Sequence, residues 1–149
     1  MTTIAAGQAP GIETPSEPET EYQRTYPGRA EQVRHVRRDI AEHLGECPVT
    51  DDLVLIASEF AANAILHSRS RGGHFTIRVK LHGDYVRLEC HDAGGAWRGS
   101  RHTADRPHGL DIVQALTGPD RWGTERTPDD TRVVWATLGW PGRTEDARR

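Results

Sequence analysis

The run from Thr50 to Ser68 constrains the fold more than any other part of the chain. Leu53, Ile56, Ala57, Phe60, Ala61, Ala64 and Ile65 recur at helical spacing and form a broad apolar face. A face this broad has to be buried against another layer. Thr50 or Asp51 is placed to cap the start, and Asp51 and Asp52 suit the positive end of the helix dipole. On the same helix Glu59, Asn63 and His67 stand four residues apart, so their side chains form one ridge. A carboxylate and an amide held one turn apart can activate a hydroxyl and hold a metal ion. The ridge reads equally as the solvent-facing stripe of an amphipathic helix.

The layer that buries this helix is legible downstream. Phe75, Ile77, Val79 and Leu81 alternate with polar residues, and after His82-Gly83-Asp84 the stretch Tyr85 to His91 does the same with Val86, Leu88 and Cys90. That pattern predicts an antiparallel hairpin. Tyr22 to Tyr26 predicts an edge strand broken by Pro27-Gly28. Ala30, Val33, Val36, Arg37, Ile40, Ala41 and Leu44 follow a helical period, with Gly45 as C-cap. Gly109 to Leu116 predicts a helix ended near Gly118-Pro119. Arg121 to Glu125 and Arg132 to Leu138 predict two strands joined through Thr127-Pro128-Asp129-Asp130. Strands and helices do not strictly alternate. The expected fold class is therefore α+β, a two-layer sandwich with helices on one face of a mixed, mostly antiparallel sheet.

Composition bounds the rest. The 149 residues suffice for one domain with a single core. The hydrophobic fraction of 35% and the mean hydropathy of -0.70 fit a compact core with polar ends. Residues 1–21 carry four glutamates, three prolines and no basic residue, which predicts a disordered acidic arm. Residues 22–140 form the expected domain, and 141–149 a flexible charged tail. A net charge of -3 gives no nucleic-acid footprint. Cys47 and Cys90 match no zinc or redox spacing and read as two reduced thiols. With no run of apolar residues near the ~20 needed to span a bilayer and no signal-peptide pattern, a cytoplasmic protein without membrane contact is expected.

Two further constellations follow the ridge. His91-Asp92-Ala93-Gly94-Gly95 puts a carboxylate at the end of an apolar strand with glycines behind it. Such a carboxylate can accept a hydrogen bond from an exocyclic amine such as that of adenine, and glycine lets backbone approach a flat ring. It also reads as an ordinary turn. Arg106-Pro107-His108-Gly109-Leu110-Asp111-Ile112-Val113 places glycine at the start of an apolar helix, where free backbone N–H groups bind phosphate. It reads too as a plain loop-to-helix junction. Taken in order, the three supply a metal ligand, a base acceptor and a phosphate cradle. The chain has no Gly-x-x-x-x-Gly-Lys-Ser/Thr, so it is not a P-loop protein.

Glu59-Phe-Ala-Ala-Asn63-Ala-Ile-Leu-His67-Ser68 resembles the N box of the GHKL ATPases, the group with gyrase, chaperone, histidine-kinase and mismatch-repair members. Asp92-Ala93-Gly94-Gly95 resembles their first glycine box, and His108-Gly109-Leu110-Asp111-Ile112-Val113 their second. The short form is similar to the bacterial anti-sigma-factor serine/threonine kinases and to small ATP-binding regulators of actinomycetes. Tyr26-Pro27-Gly28 and the Ser68–Gly73 segment agree with it, so the resemblance spans about residues 22–139.

The resemblance implies ATP and Mg²⁺ as ligands. Asp92 would accept the adenine amine, Asn63 would bind Mg²⁺, and Glu59 would be the catalytic base on a substrate hydroxyl. Gly94, Gly95, His108, Gly109 and Leu110 would line the nucleotide, with 96–107 as a short lid. His67 closes the pattern without an assigned step. Two positions depart from it: Ala96 stands where the last box glycine is usual, and His108 where arginine is frequent. The implied function is a regulatory kinase that phosphorylates an antagonist protein and sequesters a partner such as a sigma factor, commonly as a homodimer. The alternative is a non-catalytic, ATP-dependent protein-binding module. A histidine-kinase fragment is disfavoured, because His35 lies in the first helix of the same domain and no helix pair precedes it.

Overall fold

The computed structural model describes residues 17–68, 70–94 and 108–140, with the side chains of His108 and Gly109 outside that description. Most of the N-terminal arm, Gly95, the loop 96–107 and the tail 141–149 also lie outside the described residues. Among the described residues there are five strands and three α-helices: β1 (Thr20–Pro27), α1 (Val33–Leu44), α2 (Thr50–His67), β2 (His74–Leu81), β3 (Tyr85–Asp92), α3 (His108–Thr117), β4 (Trp122–Arg126) and β5 (Arg132–Gly139). A single 3₁₀ turn, Ala30–Gln32, leads into α1.

The strands form one sheet in the order β1-β2-β3-β5-β4. All four pairings are antiparallel, in keeping with the mostly antiparallel sheet of the α+β sandwich expected from sequence. Crossing from β3 through α3 to the edge strand β4, and back by a hairpin to β5, removes any need for a parallel pair. β1 is an edge strand as expected. It starts at Thr20 rather than Tyr22, because its pairing runs unbroken from Thr20↔Leu81 to Pro27↔His74.

Alternation sorts the side chains by face. Ile77 opposes Cys90, Val79 opposes Leu88, and Leu88 and Cys90 oppose Ala136 and Val134 across β5. All are buried and form one cluster with Ile56, Ala57, Phe60, Ala61 and Ala64 of α2. Each fully buried Leu, Ile or Phe contributes about 1.5–3 kcal/mol. α2 packs against α1, α3 and β3, so it is the central helix of its layer. Its start differs from the expected cap. Val49 is the N-cap residue, and the Thr50 hydroxyl donates to the Gly45 carbonyl at 3.1 Å. That bond closes the α1–α2 connection. Gly45 follows α1 with φ +62°, as its C-cap assignment requires.

Two polar networks fix the edges of this core. Asp39 of α1 is buried, and its Oδ2 accepts from the Tyr26 hydroxyl at 2.8 Å and from Arg24 Nη1 at 2.9 Å. Burial, with hydrogen bonds to Tyr22 and Asp39, pushes the Tyr26 hydroxyl well above its ordinary pKa. This ties β1 to α1. On the opposite face of the sheet Glu89 is only 5% exposed. It accepts from Arg87 Nε at 2.7 Å and Lys80 Nζ at 3.3 Å, and meets His91 Nε2 at 2.8 Å. The Arg87 guanidinium also lies over the Trp135 ring, 4.6 Å from its centroid. Burial alone would raise the Glu89 pKa, but His91, Arg87 and Lys80 outweigh it and hold the carboxylate below its ordinary value of 4.5.

A depressed folded-state pKa stabilises the fold above the unfolded value, and the contribution disappears as pH falls through the folded one. Glu89→Gln is therefore expected to cost about 1–3 kcal/mol at pH 7. Urea unfolding of both proteins should show the gap narrowing as pH falls below about 4.5.

Candidate functional site

α2 carries Glu59 and His67 half-buried and Asn63 buried between them. Asn63 is flanked by Ala61 and Ala64 on a helix whose apolar face exceeds half its circumference, so the middle of the ridge turns inward. Its Nδ2 is buried and has no hydrogen-bond partner among the described residues. An unpaired buried amide costs about 1–3 kcal/mol, which a ligand acceptor would recover. Rotating the amide by 180° would put Oδ1 in the same place, so the position suits a phosphate oxygen or a hard cation. Among the described residues no three His, Cys, Asp or Glu side chains group as a metal cage. A Mg²⁺ ion here would take most of its ligands from phosphate and water, which is its usual habit.

α2 ends in a backbone knot. Ser68 Oγ donates to the Ala64 carbonyl at 2.6 Å and accepts from Ser70 N at 2.9 Å. Gly28 N donates to the Gly73 carbonyl at 2.7 Å, and Gly72 N to the Gly28 carbonyl at 3.1 Å. A Cβ on Gly28 would lie 1.9 Å from the Ser70 oxygen, so only glycine fits there. The two segments singled out in the sequence, Tyr26-Pro27-Gly28 and Ser68–Gly73, are thus one structure. Ser70 is 1% exposed, and its Oγ accepts from Ala93 N at 2.8 Å. This single bond joins the end of α2 to the turn that follows β3.

That turn holds Asp92. Its Oδ1 accepts from Gly94 N at 2.8 Å, and Gly94 has φ +73°, a conformation glycine adopts without strain. Its Oδ2 accepts from Arg132 Nη2 at 2.9 Å and Nε at 3.2 Å. The two side chains are 1% and 4% exposed. Burial draws the Arg132 pKa below its ordinary value, and the Asp92 charge opposes that shift. Two positions away, burial and the Asp92 charge push the Cys90 thiol well up, so it stays neutral. Both cysteines are free thiols.

Of the other expected residues, Leu110 is buried in the core cluster and serves packing as much as any ligand. His108 and Gly109 open α3, as the sequence suggested, and α3 packs on α2. α2, which carries the ridge, thus packs both on α3 and on β3, whose end carries Asp92. Sequence reasoning missed Ser70 and Arg132. Arg132 left one signal: it occupies the inward phase of β5, which otherwise holds Val134, Ala136 and Leu138. Ser70 left none beyond its place in the Ser68–Gly73 segment.

Two substitutions test the knot. Ser70→Ala leaves the Ala93 N–H without its acceptor and is expected to cost about 1–3 kcal/mol. Gly28→Ala forces the Ser70 carbonyl aside at a similar cost of about 1–3 kcal/mol. Amide hydrogen exchange should show Ala93 exchanging faster in both variants, with the β2–β3 hairpin amides unchanged.

The family model described as histidine kinase-like ATPase domain matches residues 26–124. That span runs from the last buried strand residue of β1 through α3 into β4 and contains the α2 ridge, the Asp92 turn and the start of α3, with Arg132 beyond its end. A search of curated proteins found no similar sequence. No described helix is long and apolar enough to cross a membrane. The span of the match and the order of the ridge, the Asp92 turn and the start of α3 agree: the chain belongs to the histidine kinase-like ATPase domain family.

Proposed function

We propose that this protein binds Mg-ATP and acts as a regulatory serine/threonine kinase of the anti-sigma type. The observation that carries the reading is the pairing on α2 of half-buried Glu59 with the unpartnered amide of Asn63 one turn on. Nucleotide binding needs only the second. A carboxylate at the first position adds the group a protein hydroxyl needs before it can attack.

The roles divide among the chain's own residues. Asp92 accepts the adenine amine. Asn63 holds the phosphate end, directly or through Mg²⁺, which supplies charge neutralisation at the phosphates when bound. Glu59 takes the proton from a serine or threonine hydroxyl of the substrate protein. The hydroxyl oxygen then forms a bond to the γ-phosphorus as the bond to the β–γ bridging oxygen breaks, and ADP leaves. His108, Gly109 and Gly95 complete the phosphate and lid contacts. The protein regulated would be a sigma factor, the substrate its antagonist, and the active form a homodimer.

Isothermal titration and a radiolabel transfer assay separate the parts. Glu59→Ala should spare Mg-ATP affinity and lower transfer by about 10²–10⁴-fold. Asn63→Ala and Asp92→Asn should each weaken Mg-ATP by about tenfold or more. ATP binding with no phosphoserine or phosphothreonine on any antagonist would leave a non-catalytic, ATP-dependent binding module. Undiminished ATP affinity in both Asn63→Ala and Asp92→Asn would remove the site assignment.

A further inference from the structure

The carboxylate assigned to the base is already heavily used. A carboxylate offers about four acceptor positions on its two oxygens. Two positions on Asp92 Oδ2 are taken by Nε and Nη2 of Arg132, and one on Oδ1 by Gly94 N. About one remains, on Oδ1. Arg132 stands directly across the sheet from Asp92, in the register that ends the β3–β5 pairing. Both side chains are almost wholly buried, so solvent does little to weaken the pair.

We propose that Arg132 is a positioning residue that makes this site select a purine bearing an exocyclic amine over one bearing an exocyclic oxygen. The inference rests on the reading of Asp92 as the base acceptor. Two donors on one oxygen fix the plane of the carboxylate and direct its remaining lone pair. A carboxylate accepts at every position and donates at none. An exocyclic amine donates to that lone pair. An exocyclic oxygen presents its own lone pairs and is repelled. Without the fork, the plane of the carboxylate is no longer fixed, its remaining lone pair is no longer directed, and the discrimination weakens.

The pair is also in excess of what folding needs. β3 and β5 are already joined along eight register positions from Tyr85↔Gly139 to Asp92↔Arg132. A buried ion pair at the end of such a ladder is weak evidence for stability, since apolar side chains of similar size often do as well. A fixed acceptor is a better account of it.

The test compares Mg-ATP with Mg-ITP, which differ at the purine C6 substituent and share ribose and triphosphate. Titration of the full chain should give ATP binding at least about 100-fold tighter than ITP. Arg132→Gln, which removes the guanidinium fork, should cut that ratio by about tenfold or more. Arg132→Lys, which keeps a point charge without the fork, should likewise cut the ratio by about tenfold or more. Thermal melts establish that each variant is folded. A folded Arg132→Gln protein that loses ATP and ITP affinity by the same factor would show a merely structural role and overturn the proposal. So would a folded Arg132→Lys protein that keeps the wild-type ratio. If Arg132→Gln does not fold, the Lys variant alone decides by the same ratio. Wild-type protein that binds both nucleotides equally overturns this proposal and leaves nucleotide binding standing; wild-type protein that binds neither overturns the ATP reading itself.

Discussion

The seating of α2 on the inner face of the sheet is the contact on which everything else depends. Phe60 is the large residue of that contact, and Ala57, Ala61 and Ala64 let the helix lie close to the strands. Cys90 Sγ sits 3.9 Å from the Phe60 carbonyl, which measures how near β3 comes to the helix backbone. A helix held on three sides, by α1, α3 and β3, has little surface left for polar residues. The ridge of Glu59, Asn63 and His67 therefore occupies what remains. Asn63 falls where the remaining surface is narrowest, so its amide is buried although the helix places it in line with two half-exposed neighbours.

Burial of polar groups elsewhere follows a simple rule that Asn63 breaks. Asp39, Glu89 and Asp92 are each surrounded by donors in sufficient number. Such groups offset the cost of leaving water. Among the described residues only Asn63 Nδ2 and Arg78 Nε are buried without a partner. Arg78 is half-exposed on the face away from the helices, and the rest of its guanidinium can reach solvent. Asn63 has no such outlet. An orphaned donor inside a well-packed core points to something that binds there, and this is the physical content behind the assignment of the phosphate end.

What the sequence disclosed, and what it withheld, follows from the range of the interactions. The β2–β3 hairpin, the apolar face of α2, the Gly45 cap and the turn at Thr127–Asp130 are local, and their periodicity or turn residues announce them. The core list for α2 was complete for the same reason. The strand order was not legible, because it depends on which strands become neighbours, and β4 stands outside β5 rather than between β3 and β5. Arg132 escaped notice on the same ground. Its partner lies 40 residues away, across a pairing that no local pattern encodes. Glu89 was read as a polar residue of an alternating strand. It is buried because Arg87 and Lys80 fold over it, a cover supplied by long side chains rather than by another layer. The cap at Thr50 shows a hydroxyl with two choices, taking the Gly45 carbonyl in preference to its own helix.

The site end of the sheet is held differently from its centre. At the centre, apolar contacts are many and each is replaceable. At the end, the chain relies on single hydrogen bonds between loops: Gly28 to Gly73, Gly72 to Gly28, Ser70 to Ala93 and Gly94 to Asp92. Each restrains a backbone segment beside the candidate site. Stability located in the centre allows the end to be built for geometry instead. A loop joined by one hydrogen bond also opens at lower cost than a packed strand, so local opening at Ala93 can occur without disturbing the core. The Asp92–Arg132 pair sits on the boundary between these two regimes. It belongs to the ladder of β3 and β5 and stands at its last register position, where β3 passes into the turn.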